Sequence, residues 1–335
     1  MAGWAIHYRF QSSRAGGAEG APNSAWQPSA RNNLRGRRRG FFFARGELAL
    51  VVASIAKMDN RAIHHAADLI EDADALVVAA GAGMGIDSGL PDFRGPGGFW
   101  SAYPALGRRG LEFYEVASPR TFDTDPALAW GFYGHRLALY RHTTPHEGFG
   151  ILKGWGERMF QGSRVFTSNV DGQFQRAGFS EDAITECHGS IHHLQCSRPC
   201  CGDVWLAANF VPSVEDETCT LVNDAPTCRG CGAIARPNIM MFGDSEWIDR
   251  RSKGQEAGLR RWLDKATRIV VIELGAGTAI PSVRHFSHEL LVNYGARLVR
   301  INPKEPAVPT QMDVSIASPA LAAMRAIESL LTLRA

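Results

Sequence analysis

No stretch of this 335-residue chain reaches the roughly 18–20 uninterrupted apolar residues that span a bilayer, so no membrane helix and no membrane partner are expected. Cysteine is missing everywhere except between Cys187 and Cys231, where all seven fall. That clustering excludes a disulfide framework for so long a chain and points to metal instead. No internal repeat is visible, which argues against solenoids and propellers. An excess of one charge is also lacking overall, since 36 Lys and Arg against 34 Asp and Glu leave +2. Acidic residues are scarce in one place only: residues 1–57 carry eight Arg and one Lys against Glu19 and Glu47, a surplus of +7. The rest holds 27 basic (36 − 9) and 32 acidic (34 − 2) residues, a net of −5. A mildly acidic body argues against a dedicated nucleic-acid binder, so no specific nucleic-acid partner is expected.

What is present is an ordinary globular composition, 45% hydrophobic and 21% charged, with ample length for a large core. Residues 11–40 are rich in Gly, Ala, Ser, Asn and Arg without a period of 2 or 3.6, which reads as a disordered basic tail. Residues 48–56 (LALVVASIA) after RGRRRG have the parts of a weak signal peptide, and an Arg-rich, acid-poor transit peptide or a basic nuclear-type patch (Arg35, Arg37, Arg38 and Arg39) are other readings. The preferred expectation is that translation begins at Met58 and residues 1–57 are a start-site artefact. An inert tail is the next expectation. Export is not expected, because the body needs reduced thiols, and the expected location is cytoplasmic.

From Met58 the pattern is helix and strand in alternation. Ile63, Ala66, Ala67 and Ile70 fall at i, i+3, i+4 and i+7, one face of a helix. Ala75–Ala80 (ALVVAA) suits a buried parallel strand, and similar runs recur at Arg164–Ser168, Arg268–Glu273 and Arg297–Ile301. A last helix carries Leu321, Met324, Ile327 and Leu331 on one side. This alternation predicts an α/β fold with a doubly wound parallel sheet.

The first strand runs into GAGMGIDSGLPDFRG, Gly81 to Gly95. Gly81 and Gly83 permit a tight turn and close backbone approach, so that amides at the next helix can meet a pyrophosphate. A Rossmann dehydrogenase would continue into an unbroken helix. Here Gly89-Leu90-Pro91 stops it, and Asp92-Phe93-Arg94 follows in a loop that Gly95, Gly97 and Gly98 make mobile.

Cys196 and either Cys200 or Cys201 precede Cys228-Arg-Gly-Cys231 by about thirty residues, the pattern of a four-thiolate zinc ribbon. Cys200 is favoured because Pro199 can shape the turn. Four thiolates close the site, so the zinc is structural. Cys187 and Cys219 have no assigned role.

Between these blocks lies DPALAWGFYGHRLALYR, Asp125 to Arg141, with Asp125 and Pro126 opening a helix. Tyr133 and Arg136, three apart, project from one face. A phenol and a guanidinium together suit a carboxylate, which Arg can grip bidentately while Tyr donates a third hydrogen bond.

The Gly81–Gly95 block resembles the signature of the sirtuin family, whose usual form is GAG, a Ser two residues on, then SGIPDFR. Ala80 replaces a usual Thr and Gly85 the usual Ser. Three further blocks follow in family order: TSNVDG (Thr167 to Gly172) resembles TQNIDG, ECHGS (Glu186 to Ser190) resembles HGS, and RPNIMMFGD (Arg236 to Asp244) resembles RPxVVxFGE. GAGTAIP (Gly275 to Pro281) and INP (Ile301 to Pro303) stand where the family holds the adenosine side. The resemblance covers about residues 60–332 and implies a Rossmann-like domain with a smaller inserted one, made of a helical module at about 92–148 and the zinc ribbon at about 190–236. Residues 58–335 would form the catalytic domain, assumed monomeric.

The resemblance implies an NAD-dependent protein-lysine deacylase, a deacetylase or a desuccinylase and demalonylase, acting on acyl-lysine proteins or peptides. The acyl carbonyl oxygen attacks C1′ of the nicotinamide ribose and expels nicotinamide. A base then removes a ribose hydroxyl proton, and the products are free lysine, nicotinamide and O-acyl-ADP-ribose. NAD is thus a consumed co-substrate. His188 is implied as the base, with Asn169 and Arg94 also catalytic. Gly81, Ala82, Gly83, Asp92, Phe93, Arg94, Ser168, Asn169, Val170, Asp171, Gly275, Thr278 and Asn302 are implied to hold the cofactor. Met241, Phe242 and Gly243 would pair with substrate peptide by strand addition. Relatives that remove succinyl or malonyl groups carry a Tyr-x-x-Arg pair after Phe, as Phe132-Tyr133-Gly134-His135-Arg136 does here. Alternatives are mono-ADP-ribosyl transfer or NAD hydrolysis, and an idle NAD-sensing module.

Overall fold

A computed structural model describes residues 59–91 and 98–334. The tail of residues 1–57, the start at Met58, and Asp92, Phe93 and Arg94 lie outside the described residues. The strands in chain order are β1 (Ala75–Ala80), β2 (Ser163–Thr167), β3 (Ile184–Glu186), β4 (Gly189–Cys196), β5 (Val204–Leu206), β6 (Val214–Glu215), β7 (Thr220–Leu221), β8 (Ala235–Ile239), β9 (Ile269–Leu274), β10 (Arg297–Ile301) and β11 (Val314–Ile316).

Six of them form one sheet in the order β11-β10-β9-β1-β2-β3, all paired in parallel. The sequence places β1 and β10 at their observed bounds, while β2 and β9 are each displaced by one residue. Both faces are covered, and β1 shows why its run is apolar without interruption. Leu76, Val78 and Ala80 pack into a core with the helices Asn60–Glu71, Glu147–Arg158 and Ala320–Arg334. Ala75, Val77 and Ala79 pack on the opposite side with Leu259, Leu263, Val283, Phe286 and Leu290, from the helices Arg250–Leu263 and Ser282–Tyr294. Alternate side chains therefore serve two cores, the condition that erases a polar face from a parallel strand. The first helix buries Ile63, Ala66, Ala67 and Ile70 as its period predicts. In the last helix Met324, Ile327 and Leu331 are buried, but Leu321 is only half-buried and Ala320 and Ala323 complete the face.

A second, antiparallel sheet orders as β5-β4-β8, and β6 pairs with β7. Its residues Ile191 and Leu194 share a third core with Leu106, Phe122, Trp130 and Leu137 of the helices within residues 98–142. The helix Pro126–His142 ties this core together. Asp125 caps it by accepting from the Leu128 N–H at 3.0 Å, and Trp130 Nε1 donates to the Ala235 carbonyl at 2.9 Å.

Strand order reverses at β1: the chain leaves toward β2 and β3 and returns on the other side to β9. A crevice opens at such a reversal, beyond the carboxyl ends of the strands. The segments that sequence reading singles out end there.

Candidate active site

The reversal brings two glycine turns into backbone contact. Gly81 and Gly83 follow β1, and Gly275, at φ +58°, follows β9. The Gly83 N–H donates to the Gly275 carbonyl at 3.0 Å. A Cβ on Gly83 would stand 2.7 Å from Gly275 Cα, and one on Gly81 2.7 Å from the Gly275 carbonyl oxygen. The glycines are thus required by this close crossing at the floor of the crevice. Gly83→Ala is expected to cost about 1–3 kcal/mol by overpacking, read as a lower urea midpoint. Gly277→Ala serves as its control, since a Cβ there meets nothing within 4 Å, and equal losses in both would refute the crossing as the cause. Ala82 is half-buried in the 3-10 turn Ala82–Ser88 between the two contacts. Gly85, where the resemblance expects Ser, has room for no side chain without pressing on Leu90, whose Cδ1 is 3.0 Å from an added Cβ.

β2 delivers the next group. Thr167 Oγ1 donates to the Ala80 carbonyl at 2.9 Å and accepts from the Asn169 N–H at 3.0 Å. Asn169 Nδ2 then donates to the Gly81 carbonyl at 2.9 Å. The amide of Asn169 is therefore aimed across the end of β1. Ser168 is buried, its N–H on the Ala80 carbonyl at 3.1 Å. Val170 is buried, and its carbonyl accepts from Ile191 N–H at 3.0 Å. Asp171 is buried, with Oδ1 accepting from the Gln173 N–H at 2.9 Å. Burial pushes its carboxyl up to about 6, against the opposing pull of the Gln173 N–H and the Arg136 charge.

His188 stands where the chain passes from β3 in the parallel sheet to β4 in the antiparallel one. It is 8% exposed, and its Nε2 lies 3.0 Å from Ser282 Oγ at the start of the helix Ser282–Tyr294. Gly189 follows at φ +81°, where a Cβ would fall 2.0 Å from the Asn238 carbonyl of β8. The glycine of this block is therefore set by strand pairing, and the histidine is carried on the joint between the two sheets.

On the other side of β1, Asn302 is buried; its Nδ2 donates to the Ala276 carbonyl at 3.0 Å and its Oδ1 accepts from the Lys304 and Glu305 N–H groups. Thr278 is exposed, its hydroxyl 3.4 Å from Glu305 Oε1. Asn302 thus fastens the two loops beyond β9 and β10, whereas Thr278 faces solvent.

Tyr133 and Arg136 are brought side by side, the guanidinium carbon 6.0 Å from the Tyr133 ring centre. Tyr133 is fully buried and stacked on Phe122 at 5.7 Å, and burial pushes its phenol well above the ordinary range. The hydroxyl that Arg136 grips is that of Tyr140, at 3.0 Å from Nε and 2.7 Å from Nη2. The guanidinium also lies over the rings of Phe132 and Tyr140, at 5.2 and 5.4 Å. Sequence reading missed Tyr140, although its place four residues after Arg136 on a helix was a usable signal.

After β8 come Met241, which is buried, and Phe242, which is half-buried. Phe242 N–H donates to the Ala117 carbonyl at 3.1 Å and its ring meets Phe113 edge-on at 5.6 Å. Gly243 turns at φ +66°, and Asp244 reaches back to the fully buried Arg236 in a fork of 2.7 and 2.8 Å.

Away from the crevice, Cys196, Cys200, Cys228 and Cys231 place four sulfurs within 4.8 Å of one another. The Cys196–Cys231 and Cys200–Cys228 separations are both 3.6 Å. Tetrahedral zinc with Zn–S near 2.3 Å has sulfur–sulfur edges of about 3.8 Å, so the donor set fits a structural zinc ion. Backbone N–H groups of Cys231 and Gly230 pull the Cys228 thiol down, while burial pushes that of Cys196 up and the neighbouring sulfurs push that of Cys200 up. Between the two adjacent candidates, Cys200 belongs to the group and Cys201 does not.

A family model described as Sir2 family matches residues 81–258. The chain is 31% identical over 251 residues to NAD-dependent protein deacylase 2 of Pyrobaculum aerophilum, spanning 75% of this chain and 88% of that protein. It is 31% identical over 241 residues to NAD-dependent protein deacylase 1 of Pseudomonas aeruginosa, spanning 71% and 86%. A solved structure described as "Structural Basis for the Mechanism and Regulation of Sir2 Enzymes" superposes with a TM-score of 0.59 at 25% identity, covering 82% of this chain and all of that one.

Proposed function

This chain belongs to the Sir2 family, and from that footing we infer that it is an NAD-dependent protein-lysine deacylase, transferring the acyl group to ADP-ribose and releasing nicotinamide and free lysine. The observation that carries the reading is the convergence of Asn169, Asp171 and His188 on the carboxyl ends of β1, β2 and β3, at the reversal of the sheet. When NAD binds it supplies the electrophilic ribose carbon and the nicotinamide leaving group. The chain supplies the rest. Gly81, Ala82 and Gly83 bring backbone against the phosphates, and Asn302 holds the adenosine-side loops in register. Ser168 and Asn169 orient the ribose, and Val170 with Asp171 form the carboxamide pocket. His188 takes the ribose hydroxyl proton once nicotinamide has left. Imidazole is the side chain suited to this step, because its neutral form can accept a proton near physiological pH.

The substrate is an acyl-lysine protein or peptide. Its backbone is proposed to pair along Met241–Gly243, beside the edge that Met240 N–H already shares with the His188 carbonyl at 3.0 Å. No helix among the described residues is long and apolar enough to cross a membrane. Four thiolates that must stay reduced suit a cytoplasmic location.

Arg136 gives the acyl pocket an acidic preference in this reading. The support is a guanidinium held among the rings of Phe132, Tyr133 and Tyr140, a charge suited to grip a carboxylate. Acetyl-, malonyl- and succinyl-lysine peptides should be compared by mass spectrometry of the products, with Arg136→Met alongside. O-acyl-ADP-ribose is expected from all active peptides, with the acidic acyl groups preferred. Arg136→Met should lower kcat/KM for succinyl-lysine by about 10–100-fold, the loss of a charge-assisted hydrogen bond pair, and leave acetyl-lysine within about twofold. Acetyl preference that is unchanged in Arg136→Met would refute the acidic pocket. Free ADP-ribose or modified protein without O-acyl-ADP-ribose would refute deacylation.

A further inference from the structure

The mechanism leaves Glu186, a buried acid beside the site, without a task. Glu186 ends β3, two residues before His188, and is 1% exposed. One helix, Arg250–Leu263, holds it at three atoms. Arg251 Nη2 donates to Glu186 Oε2 at 2.6 Å. Ser252 Oγ donates to the Glu186 carbonyl at 2.8 Å. The Glu186 N–H donates to Gln255 Oε1 at 3.1 Å. Carboxylate, carbonyl and amide of a single residue are thus fixed by neighbouring turns of the same helix. Glu181 also approaches Arg251, at 3.4 Å, but it is largely exposed and stands at the far end of β3.

We infer that Glu186 and Arg251 are positioning residues for His188, a clamp that sets where its imidazole stands at the crevice. The inference rests on the reading of His188 as the base. Its physical ground is the shortness of the joint between β3 and β4. Only Cys187 and His188 lie between the two strands, so the imidazole has little chain of its own to define its place. Downstream the joint is fixed by Gly189 packed on the Asn238 carbonyl and by the Met240 N–H on the His188 carbonyl. Upstream it is fixed by Cys187 N–H on the Thr167 carbonyl at 3.0 Å, and by the clamp on Glu186. An ion pair this buried is a poor source of stability compared with apolar packing, so its geometric role is the one to test. A displacement of about 1 Å of a catalytic group can cost about 10²-fold in rate.

The test separates the step before the base acts from the step after. Glu186→Gln keeps the shape and both backbone contacts but loses the charge. Glu186→Gln/Arg251→Met removes both charges and so avoids leaving either one unpaired. Each is assayed for deacylation and for exchange of labelled nicotinamide into NAD, which requires only nicotinamide loss and its reversal. Both variants are expected to slow deacylation by about 10–100-fold while exchange stays within about twofold. Parallel loss of both activities, or normal deacylation in the double variant, would overturn the positioning role. His188→Ala in the same assays keeps the two readings apart. If it deacylates normally, the base assignment fails. If it is inactive while Glu186→Gln is fully active, only the clamp fails.

Discussion

His188→Ala is expected to lower acyl-lysine turnover by at least about 10²–10⁴-fold, the span a general base contributes, with the fold retained. The loss should be that large because no other imidazole stands on the joint between β3 and β4, and the neighbouring groups cannot substitute. Ser282, 3.0 Å from His188 Nε2, has a hydroxyl far too weakly basic to take a ribose proton. Asp171 is a candidate by charge, since its carboxyl is pushed up to about 6, but its Oδ1 is engaged by the Gln173 N–H. The fold should survive because the joint is held by groups other than the imidazole: Met240 N–H on the 188 carbonyl, Cys187 N–H on the Thr167 carbonyl, Gly189 against Asn238, and the clamp on Glu186. None of these contacts needs the imidazole. Steady-state deacylation by chromatography, with a thermal melt beside it, checks both halves. Activity within tenfold of the parent at an unchanged Tm would remove His188 from the role of base.

Most of the architecture was legible because it rests on local patterns. The run Ala75–Ala80 reads as a strand with two buried faces because its alternate residues do serve two cores. Ile63, Ala66, Ala67 and Ile70 read as one helical face because burial follows the 3.6-residue period. The glycines of Gly81–Gly83 were legible as a turn, but their main partner was not. Gly275 lies almost two hundred residues further on and is brought there by the return of the chain to the other side of β1. The same limit explains the partners of the site. Ser282 meets His188, and Arg251 meets Glu186, across tertiary contacts that no spacing encodes. Arg136 is a different case. The pair Tyr133 and Arg136 has helical spacing, and the Tyr133 ring also stacks on Phe122 in the core. Tyr140 has equally good spacing and takes the guanidinium. Spacing selects a face and cannot choose which phenol on it the guanidinium meets.

Removal of zinc is expected to be the other large effect, on stability first and on activity as a consequence. Structural zinc contributes folding free energy of about 10–16 kcal/mol in small metal-bound domains, comparable to the about 5–15 kcal/mol that holds a whole protein folded. Here the four sulfurs close a loop between β4 and β8, the strands whose ends at Cys196 and Ala235 are paired. The residues inside that loop also brace the helix bearing Arg136. Arg141 donates to the Phe210 and Ala207 carbonyls at 2.6 and 2.7 Å, and Gly131 packs directly on the Cys219 carbonyl. Releasing the metal therefore loosens the wall of the proposed acyl pocket even if the six-stranded sheet survives. Cys200→Ser should lose the metal and at least about 3 kcal/mol, roughly 6–12 °C in Tm for a domain of this size. Cys201→Ser should keep both, because its sulfur lies outside the four-sulfur group. Metal content by elemental analysis, read beside the melts, decides the matter. Metal loss in Cys201→Ser, or full metal content in Cys200→Ser, would reverse the assignment. Activity should follow the metal, since the helix Pro126–His142, which carries Arg136, is held through Arg141 by carbonyls of that loop.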